Sequence, residues 1–237
     1  VDLSAGNQQE LIDLKFAFYK GTPPSTVNKI TNLWGTGAFS KSYASLSDDS
    51  QLSEIMILLL HSTKQTMLRT RLTGHGHNSN DGNYPHCCEW KDNTHYLKIN
   101  GKQEFDWHVW RNLDCAMNPV YPQGGTWVYD RANWCPGAEV WTYDYELTPE
   151  VSAGNTYTFD YNAEAYTWNG AGSVPTYVTS VQLVTYGEPN FTHDAALDAI
   201  IAPSDDDMQS RKNPVCSDPI VRITNTGSAT LTSLDIT

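Results

Sequence analysis

The sequence has little positive charge, no long apolar run and no paired-cysteine motif. Its 15 Lys and Arg stand against 27 Asp and Glu, a formal net charge of -12. No Lys/Arg cluster is present to neutralise phosphates, which argues against nucleic acid, anionic membranes and polymeric anions as partners. The longest apolar run, "IMILLLH" from Ile55, is far short of the roughly 20 residues that cross a bilayer. No membrane span is expected, and the run reads as a buried strand. The five cysteines, Cys87, Cys88, Cys115, Cys135 and Cys216, form no CxxC pair, a spacing that disfavours a zinc site of that type. There is neither an initiator Met nor a charged-then-apolar leader at Val1. The chain therefore reads as a mature secreted form or a piece of something longer, and both ends favour the second reading.

Aromatic residues are abundant, with eight Trp and thirteen Tyr in 237 residues. Such rings fill a β core or stack on sugar faces, and the core accounts for most of them. Strand alternation recurs in "THYLKING", "TWVYD", "EVWTYDYEL", "TYTFDYNAEAYTW" and "TYVTSVQLVTY", between clusters of Gly, Asn, Asp and Pro. This is the pattern of an all-β antiparallel sandwich. Only "NQQELIDL" near the start and "HDAALDAIIA" from His193 carry helical spacing. The second runs into Pro203 and the acidic "SDDD", so residues 191–213 read as a linker after a domain spanning 1–190. From Pro214 the chain alternates again at Ile220 to Thr224, turns at "NTGS" and shows another strand from Leu231. Residues 214–237 thus read as the start of a second β-sandwich module.

Cys115 and Cys135 bracket the loop "NPVYPQGGTWVYDRANW", an excursion with little periodic structure. A disulfide would staple it in an oxidising compartment, and this pair is predicted. The odd count leaves open whether Cys87 or Cys88 bridges to Cys216. "NFT" at Asn190 is a glycosylation sequon by pattern, of a kind that arises often by chance.

The stretches "LRTRLTGHGH", "CCEW", "TH", "DCAMNP", "TW" and "DRANWCPG" resemble the C-terminal lobe of peptide:N-glycosidase F-like proteins, bacterial amidases that remove N-glycans from asparagine. The similarity runs from about Met67 to Gly187, with Asp130, Arg131, Trp134, Cys135, Pro136 and Gly137 in order and Cys115 at the distance of the family's disulfide partner. The resemblance implies a jelly-roll-like lobe, one of two in the family, with a fold shared by copper-dependent peptide hydroxylating monooxygenases. It implies a secreted or cell-surface, extracytoplasmic bacterial protein whose ligand is an N-glycan or glycoprotein. It also implies a partner: an N-terminal lobe, or another protein covering the lobe interface.

In that family the essential carboxylates are divided between the lobes, and Glu89 matches the one from the C-terminal lobe. The N-terminal lobe's Cys-Asp-Glu-Trp-Asp run is absent from these 237 residues. Amide hydrolysis needs a base for water, donors for the developing oxyanion and a proton for the leaving amine, and one glutamate cannot serve all three. Amidase activity is therefore expected only with an N-terminal lobe present. The catalytic candidates are Glu89 and Arg131, whose planar fork suits an oxyanion or a carboxylate; an internal salt bridge to Asp130 or Asp114 is the alternative for Arg131. Trp90 and His75 are the glycan-contact candidates, the other tryptophans being read as core or loop packing. Lys91 stands where the family has a cysteine, and His75 where it has a tryptophan. These departures suit a second reading, a non-catalytic glycan-binding, adhesive or assembly module. A third reading is metal binding without any other cofactor. His75 and His77 flank one glycine and would share a strand face, and with His95 nearby they form a candidate copper or zinc set.

Overall fold

The computed structural model describes residues 15–35, 39–76, 88–111, 115, 130–135, 139–165, 168, 170, 172, 174–202 and 219–235. Among the described residues, eleven strands and one short helix follow in chain order: β1 (Ser25–Leu33), β2 (Phe39–Ser42), α1 (Tyr43–Ser47), β3 (Ile55–Leu58), β4 (Gln65–His75), β5 (Thr94–Ile99), β6 (Lys102–His108), β7 (Thr142–Glu146), β8 (Thr156–Ala163), β9 (Thr176–Pro189), β10 (Ala195–Ala202) and β11 (Ile220–Asn225). One sheet has the order β1-β9-β4-β7, with β2 also paired to β9; the other has the order β3-β8-β5-β6. All pairings are antiparallel.

Period-two alternation explains how the two sheets make one core. On β4 and β9 the inward residues include Leu68, Leu72, Tyr177, Val181 and Leu183; on β5 and β8 they include Leu97, Ile99, Phe159 and Tyr161. All are buried. Each fully buried Leu or Phe contributes roughly 1.5–3 kcal/mol by leaving water, so the facing rows hold the sheets together. The fold is an all-β sandwich. Asn100 and Gly101, both with positive φ, close the β5–β6 hairpin between the paired residues Ile99 and Lys102, the Asn-Gly signature of a two-residue turn. Ser42 caps α1 by accepting a hydrogen bond from Ser45 N, and α1 seats the buried Tyr43 in the core.

Several expectations from sequence meet the structure differently. The run from Ile55 forms β3, an edge strand, and Met56, Leu58 and Leu60 are exposed. Its alternate residues Ile55, Ile57 and Leu59 pack on the core, and the intervening ones face outward. The segment "AALDAIIA" is strand rather than helix: β10 pairs antiparallel with β11 in a separate two-stranded sheet. Its Ala, Leu and Ile residues satisfy both periods, and the cross-strand partners of β11 decide between them. That sheet begins at Ala195, inside the stretch read as a linker. Residues 230–235 carry no strand. "NQQELIDL" and residues 126–129 of "TWVYD" lie outside the described residues, and Asp130 is not in a strand.

Candidate functional site

At the C-terminal end of β4, two loop segments clasp the strand through backbone hydrogen bonds. Gly74 N donates to Ala132 O (3.1 Å), Glu89 N donates to Gly76 O (3.1 Å) and Ala132 N donates to Glu89 O (3.0 Å). The approach is close enough that a methyl group at Gly74 would overlap both the Cys88 carbonyl oxygen and the Ala132 Cβ, so glycine is required there. Arg131 pairs with Arg111 in an antiparallel bridge, with N to O distances of 2.7 and 3.2 Å. Asn133, at φ 63, turns the chain and donates its amide to Leu72 O (2.8 Å) and Trp141 O (3.2 Å). The predicted disulfide Cys115–Cys135 is present, with Cα atoms 5.1 Å apart, next to Trp134. Cys88 is also disulfide-bonded, and Cys87 and Cys216 lie outside the described residues.

This scaffold brings four sequence-predicted residues together. Arg131 Nη1 lies 3.9 Å from Glu89 Oε1, and the two side chains are 2% and 21% exposed. At that separation the contact is an ion pair, longer than a hydrogen bond. The Arg131 guanidinium is sandwiched between indoles, its Cζ 4.4 Å from the ring centroids of both Trp90 and Trp134. Trp134 is fixed by its Nε1 donating to Gly74 O at 3.0 Å. His75 stacks on Trp134, centroids 5.4 Å apart, and its Nε2 meets the Thr73 hydroxyl at 2.7 Å. Burial pulls the Arg131 pKa down while Glu89 opposes the shift; an arginine remains cationic throughout the physiological range. Burial likewise lowers the His75 pKa, favouring its neutral ring. The arrangement holds one partly exposed carboxylate beside a buried, fixed cation, walled by aromatic surface.

His95 is not part of this cluster. It sits fully buried on β5, stacked against Tyr43, edge-on to Tyr161 and Tyr177, with Nδ1 hydrogen-bonded to the Tyr161 hydroxyl. Burial pushes its pKa down to about 3. His77 lies outside the described residues; β4 ends at His75, and Gly76 has φ +87. Among the described residues no group of three or more His, Cys, Asp or Glu is placed to hold a metal ion. Sequence reasoning missed the roles of Gly74, Trp134 and Asn133. The "TGH" and "ANW" strings carried no periodicity to signal that they lie against each other.

A family model described as peptide-N-glycosidase F, C terminal, matches residues 42–184. Peptide-N(4)-(N-acetyl-beta-D-glucosaminyl)asparagine amidase F of Elizabethkingia miricola is 35% identical over 126 residues, covering 52% of this chain and 35% of that relative. The chain thus spans about a third of the length of that curated relative. The solved structure of PNGase F, a glycosylasparaginase from Flavobacterium meningosepticum, matches with a TM-score of 0.58 at 28% identity, over 70% of this chain and 54% of that one. PNGF-II matches with a TM-score of 0.50 at 18% identity, a likeness of fold.

Proposed function

Because this chain belongs to the peptide-N-glycosidase F C-terminal family, we propose that it supplies one lobe of a glycosyl-asparagine amidase whose other lobe carries the remaining carboxylates. The observation that supports this reading is the partly exposed Glu89 beside the buried, doubly stacked Arg131. In the proposed reaction water adds to the asparagine side-chain carbonyl, the C–N bond to the sugar-bearing nitrogen breaks, and that nitrogen leaves with a proton as glycosylamine. Glu89 orients the substrate amide or the attacking water; the second lobe supplies the base. Arg131, almost entirely covered, acts as the anchor of the Glu89 carboxylate rather than as an open oxyanion donor. Trp90 and His75 line the glycan side of the cluster. Disulfides at Cys115–Cys135 and Cys88 favour an extracytoplasmic location.

The test is incubation of the complete polypeptide with an N-glycopeptide in heavy-oxygen water. Conversion of asparagine to singly labelled aspartate supports the amidase. Its absence with folded protein refutes it. A second reading, glycan binding without cleavage, is favoured by His75 and Lys91, where the family's tryptophan and cysteine are replaced; binding of the glycopeptide without conversion would select it.

A further inference from the structure

Trp141 stands apart from the other tryptophans: it is the one exposed Trp among the described residues, at 38% exposure. It precedes β7, where Tyr143 and Tyr145 pack against the core. One face of its indole is backed by the Arg111 guanidinium, Cζ 4.7 Å from the ring centroid, and Arg111 is itself 2% exposed. The backbone around it is tied down: Asn133 donates to Trp141 O, and Arg111 Nη1 donates to Glu139 O at 2.7 Å. An indole stacked on a buried cation incurs less ordering cost on binding than a mobile side chain would.

Polar groups gather at Tyr143, the second residue of β7. The Tyr143 hydroxyl, two residues along, donates to His108 O at 3.1 Å. The His108 imidazole pairs with the Asp92 carboxylate at 3.0 Å, and both side chains are largely exposed. Arg111 and Asp92 both act electrostatically on Tyr143. The Arg111–Arg131 backbone bridge links the segment behind Trp141 to the Glu89 cluster.

The geometry points to Trp141 as a second, outlying saccharide subsite, with Asp92 and His108 meeting the sugar's hydroxyl groups. A flat apolar face with an adjacent carboxylate suits the C–H face and paired hydroxyls of a pyranose. The Asp92 charge and the net charge of -12 select neutral sugars over sialylated ones. The inference rests on the glycan reading above and extends it from the scissile linkage to a more distant sugar.

The test is nuclear magnetic resonance of the full chain with 15N-labelled tryptophan side chains, the Trp141 signal being assigned by its loss in Trp141→Tyr. Chitotetraose is expected to move the Trp141 signal saturably and sialyllactose to leave it in place. Trp141→Ala should weaken chitotetraose binding about tenfold, as loss of an aromatic anchor does, while Trp141→Tyr, which keeps a ring, retains most of it. If chitotetraose moves only the Trp90 and Trp134 signals and binds Trp141→Ala unchanged, the subsite is refuted and the glycan reading stands. If no indole signal moves at millimolar chitotetraose, both fall. Sialyllactose binding at Trp141 as tightly as chitotetraose overturns the neutral-sugar selection.

Discussion

His95 makes folding sensitive to acid in a way that can be calculated. Its ring is enclosed by Tyr43, Tyr161 and Tyr177, and Nε2 has no hydrogen-bond partner among the described residues. Burial lowers its pKa from 6.5 to about 3. The unfolded chain therefore binds a proton that the folded one refuses, and stability present above pH 6.5 is lost as pH falls toward 3. The slope approaches 1.4 kcal/mol per pH unit, which between pH 7.5 and 5 integrates to about 2 kcal/mol. Urea unfolding of wild type and His95→Gln at these two pH values isolates the contribution. The variant starts from a different stability at pH 7.5, but only the change with pH is compared. Wild type should lose about 2 kcal/mol more than the variant. Equal losses would show that His95 is charged or solvated in the folded state and refute the reasoning.

Three further outcomes follow from the site's construction. Gly74→Ala should lower the urea midpoint by the equivalent of about 1–3 kcal/mol, because the methyl overlaps Cys88 O and Ala132 Cβ; an unchanged midpoint would mean the clasp is loose. Replacing Cys115 and Cys135 together with Ala should cost about 2–4 kcal/mol through the 20-residue separation they close, read by the same unfolding curves. Arg131→Lys keeps the charge but loses the planar stack between Trp90 and Trp134. It should lower kcat of the complete polypeptide about tenfold or more with little change in KM, and wild-type kcat would show that the sandwich does not position Glu89.

The strands of the sandwich were legible because most bury only alternate residues: in "THYLKI" the face carrying His95, Leu97 and Ile99 is the buried one. That same alternation marked His95 as a core residue, a signal that proximity to His75 and His77 in sequence obscured. β10 was not legible, since "AALDAIIA" fits a helix as well as a strand and its partner lies some twenty residues on. The exposure of β3 depends on its place at a sheet edge, a tertiary fact. In the site, Glu89 and Arg131 were recognisable by motif, but their ion pair was not: the salt bridge weighed for Arg131 was to Asp130 or Asp114, and the structure sets Glu89 beside it. The sandwich of Arg131 between Trp90 and Trp134 was not, because it forms only when the two loops meet over Gly74.

The central claim is that Glu89 is a working carboxylate of an amidase lobe. It is tested most directly by comparing wild type, Glu89→Gln and Glu89→Asp in the complete polypeptide on one N-glycopeptide, after unfolding curves show all three folded. The account predicts that Glu89→Gln, isosteric but uncharged, loses at least a hundredfold in kcat, as removal of an acid–base or orienting carboxylate does, and that Glu89→Asp retains part of it. Wild-type turnover by Glu89→Gln would contradict the account and make the Glu89–Arg131 pair a structural tie.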